Sequence, residues 1–355
     1  MSFDITNVVR KQVLTMIPYQ SARRIGYTGT TWLNANELPM SMSLTVKLKD
    51  LNRYPEFQSY ELINKYSDYV GCLPEQILVT RGADEGIDLL MRVFCEPGVD
   101  AIISCPPTYD MYNVCAAITG VKNKICNMGS DWNINVSLIL SNIDKVKLIY
   151  LCHPNNPTGN LLQLNDIKSI LNGVGSSVLV VIDEAYIEFA LNYSVVSWIS
   201  EFPNLIVLRT LSKSFGLAGI RCGFTIAHSS VIQMLSKVIA PYPLSTPVID
   251  IALCALNTNN IQLMKDRVDI LMENKYWLIN KLNNISIVER VFLSFTNYIL
   301  VKFISCDSVF NYLIQQGVVL RNQNKKLHLT GCIRITIGTR EECEYLIKLL
   351  QKISS

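Results

Sequence analysis

The sequence predicts an α/β protein in which a large domain with a mostly parallel sheet between helices is followed by a smaller α+β domain. Three observations predict this class: short apolar runs alternate with helical stretches over residues 75–227, the runs are continuously apolar, and a proline-rich segment at 241–247 ends the alternation. Continuous β-branched runs indicate a sheet buried on both faces, and helices between them indicate parallel connections. We therefore expect an N-terminal arm over 1–40, a large domain over 41–245 and a small domain over 246–355.

The individual elements follow from local patterns. The arm has no strong hydrophobic period and contains Pro18, Gly26, Gly29 and Pro39, so we expect it to pack on other elements. The segment GADEGIDLLMRVF (82–94) has apolar positions at helical spacing and acidic residues in its first turn, which favours a helix. The strands of the large sheet are predicted at ILVT (77–80), AIISC (101–105), KLIYLC (147–152), SVLVVID (177–183), NLIVL (204–208) and CGFTIA (222–227). The small domain is predicted to contain an amphipathic helix over 259–283 and the strands NYILVKF (297–303) and CIRITIG (332–338).

Charge and hydropathy exclude several classes of protein. The 32 basic residues nearly balance the 29 acidic ones and form no run that could neutralise a phosphate backbone, so we expect no nucleic-acid partner. No apolar run approaches the ~18–20 residues that span a bilayer, so we expect no membrane association. Asp4 and Arg10 interrupt what would have to be a signal core, so we expect a cytoplasmic protein.

Nucleotide, disulfide and metal signatures are also missing from the sequence. The G-x-G start at 173–175 precedes a predicted strand instead of following one, and no P-loop motif occurs. The eleven cysteines form no CxxC pair and mostly lie in apolar runs, so we expect reduced core thiols. His153, His228 and His328 are widely separated, and we expect no metal site.

Polar motifs follow successive predicted strands, at the edge where open α/β sheets bind ligands. They are HPNNPTG (153–159), DEAY (183–186) and RTLSKSFGLAGIRCGF (209–224). Asp183 ends an intensely apolar strand, where a carboxylate needs a cationic partner such as a protonated ring nitrogen. Lys213 follows the next strand, and a desolvated lysine there can attack a carbonyl carbon.

The residues around Lys213 suit a phosphate monoester, because Thr210 and Ser212 supply hydroxyls and Arg221 supplies a guanidinium. Taken singly, each motif has an ordinary interpretation. Asp183 could cap a helix, Lys213 could be a surface lysine, and NNPTG could be a turn. We call Thr210, Ser212 and Arg221 the phosphate cup. Because a lysine, a buried acid and this cup occur together at the strand ends of one predicted sheet, they point to pyridoxal phosphate.

With these motifs the chain resembles the fold-type I pyridoxal-phosphate aminotransferases, and within them it is similar to the histidinol-phosphate aminotransferase family over essentially its full length. The LSKSFGLAG block is shared by many aminotransferases, whereas PYQSARR and the late LRNQNK and CIRITIGTREE stretches are narrower. The resemblance is carried by LTMIPYQSARR (14–24), WLNANELP (32–39), LNRYPE (51–56), RGADEGIDLL (81–90), CPPTYDMY (105–112), HPNNPTG, VVIDEAYIEF (180–189), RTLSKSFGLAGIRCGF, APYPLSTP (240–247), LRNQNK (320–325) and CIRITIGTREE (332–342).

The resemblance implies a role for each residue of a cofactor site. Lys213 would hold the cofactor covalently and move the proton at the substrate's Cα, and Asp183 would pair with the ring nitrogen. Tyr186 and Asn156 would donate hydrogen bonds to the ring's phenolic oxygen, and Tyr109 would stack on the ring. The phosphate would be held by Thr210, Ser212 and Arg221, by the backbone amides of Ala83 and Asp84, and by Tyr54 donated from the neighbouring subunit.

The resemblance also implies the substrates. Histidinol phosphate and 2-oxoglutarate would give imidazole acetol phosphate and glutamate in a step of histidine biosynthesis. One pocket must then accept a phosphate ester and a dicarboxylate, and the candidate contacts are Tyr19, Arg321 and Arg334, since a guanidinium can chelate either anion. A homodimer is expected, with the arm packing on the small domain and on the partner subunit.

Two alternatives of the same fold remain open from the sequence, and a third, from a different class, is not expected. An aromatic amino acid aminotransferase or an aminophosphonate-type decarboxylase of the same fold would use the same lysine and aspartate, and only the substrate pocket would distinguish them. A cofactor-binding sensor without turnover would need a DNA-binding module, for which 355 residues leave no room.

Overall fold

A computed structural model describes residues 3–19, 21, 26–46 and 49–354 of the chain. Part of the PYQSARR motif therefore lies outside the described residues. In chain order, the strands are β1 (Thr31–Trp32), β2 (Ile77–Thr80), β3 (Ala101–Ser104), β4 (Lys122–Ile125), β5 (Val146–Cys152), β6 (Leu179–Asp183), β7 (Leu205–Thr210), β8 (Gly223–Ala227), β9 (Val288–Val291), β10 (Tyr298–Phe303), β11 (Val318–Val319), β12 (Arg321–Asn322) and β13 (Cys332–Thr336). The helices are α1 (Lys11–Leu14), α2 (Tyr60–Val70), α3 (Gly82–Phe94), α4 (Met111–Thr119), α5 (Val136–Ser141), α6 (Leu164–Gly173), α7 (Ser229–Ser236), α8 (Thr246–Ala255), α9 (Thr258–Leu282), α10 (Cys306–Gln315) and α11 (Arg340–Ser354).

The larger sheet has the strand order β2-β8-β7-β6-β5-β3-β4. Pairing is parallel from β4 through β3, β5 and β6 to β7, and β8 runs antiparallel to both β7 and β2. The predicted mostly parallel sheet is thus confirmed, and each predicted run overlaps one of its strands. The edge strand β4 was not predicted, because its sequence KNKI is polar and its side chains are largely accessible to water.

Helices cover both faces of this sheet. On one face α3 and α4 bury Ile87 and Tyr112 against the strands. On the other face α2 and α6 bury Leu62 and Ile167. Because helices shield both faces of the sheet from water, polar side chains that follow the strands can reach a ligand only at the end of the sheet.

A second, antiparallel sheet has the order β12-β13-β10-β9 and packs with α10 and α11. The two predicted strands of the small domain are β10 and β13, whereas the short strands β9 and β12 carry polar sequences that gave no apolar signal. The predicted long helix is α9, which joins the two units. Its Met264 and Val268 belong to the core of the large sheet, and its Leu271 and Leu278 belong to the core of the second sheet.

The end of the arm packs on the second sheet's unit. Strand β1 pairs in parallel with β11, and Leu33 and Leu38 lie in the core of that unit. The domain limits at residues 40 and 245 and the contact of the arm with a partner subunit stay predictions. In the part of the chain that the structure describes, no helix combines the length and the apolar character needed to cross a bilayer.

A buried charge cluster fixes the loop that follows β6. The Arg209 guanidinium on β7 binds Glu184 Oε2 at 2.8 Å and the Ser194 hydroxyl at 2.7 Å, and its Nη1 lies 3.6 Å from Glu188 Oε1. Burial raises the pKa of Glu188 to about 7, although the positive charge of Arg209 opposes the shift. Glu184 directly follows Asp183, so this cluster also holds the backbone next to the end of β6.

We expect Arg209→Met to lower the free energy of unfolding by about 3–5 kcal/mol, because two buried carboxylates would lose their counter-charge. Urea denaturation followed by circular dichroism measures the change. The matched control is Arg92→Met, which breaks an exposed pair with Asp88 on α3 and should cost at most about 1 kcal/mol. Equal effects of the two substitutions would contradict this view of the cluster.

Candidate active site

A cavity of about 470 Å³ lies where β5, β6 and β7 end, between the large sheet and the second unit. It contains nearly the whole set of residues that the sequence predicted. Those that line it are Tyr19, Ala83, Asp84, Tyr109, Asn156, Asp183, Tyr186, Thr210, Ser212, Lys213, Arg221, Arg321 and Arg334.

Asp183 is the last residue of β6 and is 2% exposed. Its carboxylate accepts hydrogen bonds from the Tyr112 hydroxyl at 2.8 Å and from the backbone N–H of Ala185 at 3.1 Å. Burial raises the pKa of Asp183 to about 6, and the two hydrogen bonds oppose that shift. The carboxylate is therefore held in place and is mostly ionised at neutral pH.

Lys213 follows β7 and points its amine into the same cavity. The Nζ atom donates a hydrogen bond to the carbonyl oxygen of Ala35 at 3.2 Å and lies 5.4 Å from the centre of the Tyr186 ring. Burial lowers the pKa of Lys213 to about 8, and the positive charge of Arg334 contributes to the shift. The site thus makes this amine far easier to deprotonate than an ordinary lysine.

The predicted phosphate cup is formed where α3 begins. The hydroxyl of Thr210 binds Ser212 Oγ at 2.9 Å, and Arg221 Nη1 donates to the same Ser212 oxygen at 3.3 Å. Gly82 has φ +75°, and a Cβ on it would lie 2.7 Å from Arg221 Nη2, so only glycine lets the guanidinium lie against the start of the helix.

These residues fit a phosphate-bearing pyridine ring. The cup consists of two hydroxyls and a guanidinium, and it lies at the N-terminus of the 13-residue helix α3. The first backbone N–H groups of this helix have no intrahelical acceptor. Glycine again allows a close approach, since a Cβ on Gly223 would lie 2.7 Å from the backbone nitrogen of Ala83. The donor set therefore suits a dianion, with an amine and a carboxylate in the same cavity for the rest of the ring.

Tyr186 and Asn156, predicted to bind the ring oxygen, are both held by neighbours. The Tyr186 hydroxyl accepts a hydrogen bond from Asn36 Nδ2 at 2.8 Å, and burial raises its pKa above the ordinary value. Asn156 Oδ1 accepts a hydrogen bond from Arg334 Nη1 at 2.6 Å. The Asn156 Nδ2 and the Tyr186 hydroxyl hydrogen are the donors that these contacts leave available for a ligand.

Tyr109 lies beside the phosphate cup. Its hydroxyl donates to Asp84 Oδ1 at 2.9 Å, and the other Asp84 oxygen lies 3.3 Å from Arg221 Nη2. Its ring packs edge-on against Tyr112, the residue that holds Asp183. The structure thus brings Tyr109 to the predicted cavity and links it to both the acid and the cup.

Arg334, Arg321 and Tyr19 supply the cationic and phenolic groups predicted for the substrate. Arg334 on β13 donates from Nη2 to the carbonyl oxygen of Asn34 at 2.7 Å, and its buried Nε has no partner among the described residues. Burial lowers the pKa of Arg321, and the nearby positive charge of Arg334 lowers it further. Two guanidiniums that line one cavity favour the binding of an anion there.

Tyr54 is the predicted site residue that the cavity does not include. It is 80% exposed and stacks on Tyr242, with ring centroids 4.5 Å apart. This position agrees with a residue that would serve another subunit, but the single chain does not test that prediction.

Sequence reasoning assigned no role to several residues of the site. Asn36 and Tyr112 hold Tyr186 and Asp183, and Asp110 and Lys326 form an ion pair on the cavity wall. All except Lys326 lie within stretches that carried the resemblance, WLNANELP and CPPTYDMY. Their partners are remote in sequence, so spacing along the chain gave no signal for their roles.

Comparisons with known proteins agree with this site. The family model of class I and II aminotransferases matches residues 30–350. The histidinol-phosphate aminotransferase of Pectobacterium atrosepticum is 53% identical over 350 residues, which cover 99% of this chain and 98% of that protein. The histidinol-phosphate aminotransferase of Serratia proteamaculans is 50% identical over 350 residues, covering 99% of this chain and 97% of that protein.

A solved structure has the same architecture. The histidinol-phosphate aminotransferase from Sinorhizobium meliloti, in complex with pyridoxal-5'-phosphate, superposes with a TM-score of 0.86 at 20% identity, covering 98% of this chain and 97% of that chain. The predicted fold class is confirmed by this likeness, and the predicted enzyme class is confirmed by the family match. The chain belongs to the class I and II aminotransferase family and, within it, to the histidinol-phosphate aminotransferases.

Proposed function

We propose that this chain is a cytoplasmic aminotransferase that exchanges an amino group between histidinol phosphate and 2-oxoglutarate, giving imidazole acetol phosphate and glutamate. The cofactor is pyridoxal phosphate. The observation that carries the proposal is a single cavity that contains Lys213 and Asp183 together with Arg321 and Arg334. Relatives that are 50–53% identical over nearly the whole chain bear the name of this activity, which supports the choice of substrate.

Each polar side chain of the cofactor site has a role in this proposal. Pyridoxal phosphate supplies an electron-withdrawing ring that stabilises negative charge at the substrate's Cα and carries the amino group between substrates. Thr210, Ser212 and Arg221 bind its phosphate with the N-terminus of α3. Asp183 provides the negative charge that keeps the ring nitrogen protonated, and Lys213 binds the cofactor and then moves the proton at Cα.

The remaining side chains orient these groups and receive the substrate. Asn36 and Tyr112 fix Tyr186 and Asp183, so that neither functional group has to reorganise during the reaction. Arg334 already uses two of its nitrogens on Asn156 and Asn34, and its Nε is oriented by those contacts. A substrate anion that binds this guanidinium is therefore placed against a rigid wall.

We expect Arg334→Lys to reduce the specificity constants of both half-reactions, because an ammonium cannot reproduce the planar guanidinium and its two bridging hydrogen bonds. The loss should be roughly tenfold to more than a hundredfold. Arg321→Ala should impair histidinol phosphate and glutamate to different degrees. Single-turnover rates measure both effects, and Arg92→Lys, on the exposed face of α3, is the control.

The same measurement separates the proposed substrate from the aromatic alternative. Wild-type enzyme should process histidinol phosphate far better than phenylalanine, which lacks a phosphate. Equal rates on the two donors, with both arginine variants unimpaired on histidinol phosphate, would contradict the proposed substrate and leave only the aminotransferase family.

We also propose a homodimer in which Tyr54 completes the phosphate site of the partner. Support comes from the large side chains that are exposed near Tyr54 in the sequence, Leu51, Phe57 and Tyr60, and from the exposed Tyr242 on which Tyr54 stacks. Aromatic side chains are enriched at protein interfaces.

Mixing two impaired variants tests the shared site. Lys213→Ala and Tyr54→Phe should each have low activity, and hybrid dimers should regain part of it because one of their two sites has both residues intact. Subunit exchange is checked by mass spectrometry of the mixed dimers. If Tyr54→Phe is impaired and hybrids form without any gain in activity, Tyr54 does not act across the interface.

A further inference from the structure

An ion pair on the wall of the active-site cavity has no part in the function proposed above. Lys326 Nζ lies 2.7 Å from Asp110 Oδ2, and both residues line the cavity. Asp110 directly precedes α4 of the large sheet, and Lys326 lies in the segment between β12 and β13 of the second unit. The pair therefore joins the two units that form the cavity.

Lys326 belongs to the cationic end of the cavity. The charges of Arg321 and Arg334 act on Lys326, and Asp110 acts on Lys326, Arg321 and Tyr19. Arg321, Arg334 and Tyr19 are the residues that are expected to bind the substrate anion. Asp110 thus places a negative charge among the positive charges of an anion-binding site, which weakens the site for any anion unless Lys326 changes partner.

The pair is weak enough for Lys326 to change partner. The side chains of Lys326 and Asp110 are 30% and 48% exposed. Ion pairs that are this accessible to water contribute little to stability. A phosphate monoester carries a charge of about −1.5 to −2 at neutral pH, against −1 for one carboxylate. The phosphate dianion therefore attracts the ammonium about twice as strongly at equal distance, whereas the cost of leaving Asp110 is the same for both ligands.

We propose that Lys326 is a third cationic contact for the phosphate ester, held by Asp110 until a dianion binds, and that the pair makes the site prefer phosphate over carboxylate. This inference rests on the proposed function and deepens it. A second view of the same pair is a purely structural link between the units. The two views predict different results when either residue of the pair is substituted. If the pair is a structural link, both substitutions reduce activity. If the pair selects phosphate over carboxylate, the two substitutions change activity toward the phosphate ester in opposite directions.

The test compares Lys326→Met and Asp110→Asn in the holoenzyme. Lys326→Met should lower kcat/KM for histidinol phosphate by about tenfold, and by at least several times more than for glutamate. Asp110→Asn should raise kcat/KM for histidinol phosphate, because it removes a negative charge and releases Lys326. Lys325→Met is the matched control, since Lys325 lies in the same segment but is exposed and does not line the cavity.

Inorganic phosphate gives a readout that does not depend on the turnover of histidinol phosphate. Its inhibition constant against glutamate should rise in Lys326→Met and fall in Asp110→Asn, with the Lys325→Met value unchanged. Losses of similar size in both variants would show a structural link and overturn the proposal, as would an unchanged preference in Lys326→Met. A wild-type enzyme that does not accept histidinol phosphate would instead contradict the proposed function. The inhibition constants of inorganic phosphate would still test whether Lys326 and Asp110 make the site prefer phosphate.

Discussion

The desolvation of one amine and one carboxylate at the end of the large sheet is the constraint on which the site depends. Asp183 is the last residue of β6, and Lys213 follows the neighbouring strand β7, in a sheet that helices cover on both faces. The fold therefore buries the carboxylate and leaves the lysine only partly accessible to water. Burial raises the pKa of the acid to about 6 and lowers that of the amine to about 8. An amine whose pKa is lowered toward neutral can both accept and release a proton at physiological pH, which suits the proton transfer proposed for Lys213.

A second constraint is that the cavity has walls from both units. Arg334 on β13 binds Asn156 of the large sheet, and Tyr298 on β10 donates to the carbonyl oxygen of Asn155 at 2.7 Å. Lys275 on α9 donates to the carbonyl oxygens of Ser294 and Thr296 and so fixes the turn that leads to β10. The guanidinium that is proposed to bind the substrate is therefore also a link between the units. Substitutions at Arg334 are expected to change substrate placement and the fit of the two units together.

The sequence predicted well those features that depend on local patterns. The strands of the large sheet carry continuous apolar runs, and the polar residues that follow them were identified because each directly succeeds such a run. Edge strand β4 and strand β12 were missed because their polar sequences resemble loops. The supporting residues Asn36 and Tyr112 were missed because their partners Tyr186 and Asp183 are distant in sequence.

The pH dependence of cofactor attachment tests the central claim most directly. Attack on the cofactor's carbonyl carbon requires the neutral amine, so the rate of covalent attachment to the apoprotein should rise with pH and reach half of its plateau near pH 8. Stopped-flow absorbance measures the rate, borohydride reduction with peptide mapping identifies the modified residue, and Lys213→Ala should show no attachment. A midpoint near 10.5, where an ordinary lysine loses its proton, or modification of another lysine, would contradict the account.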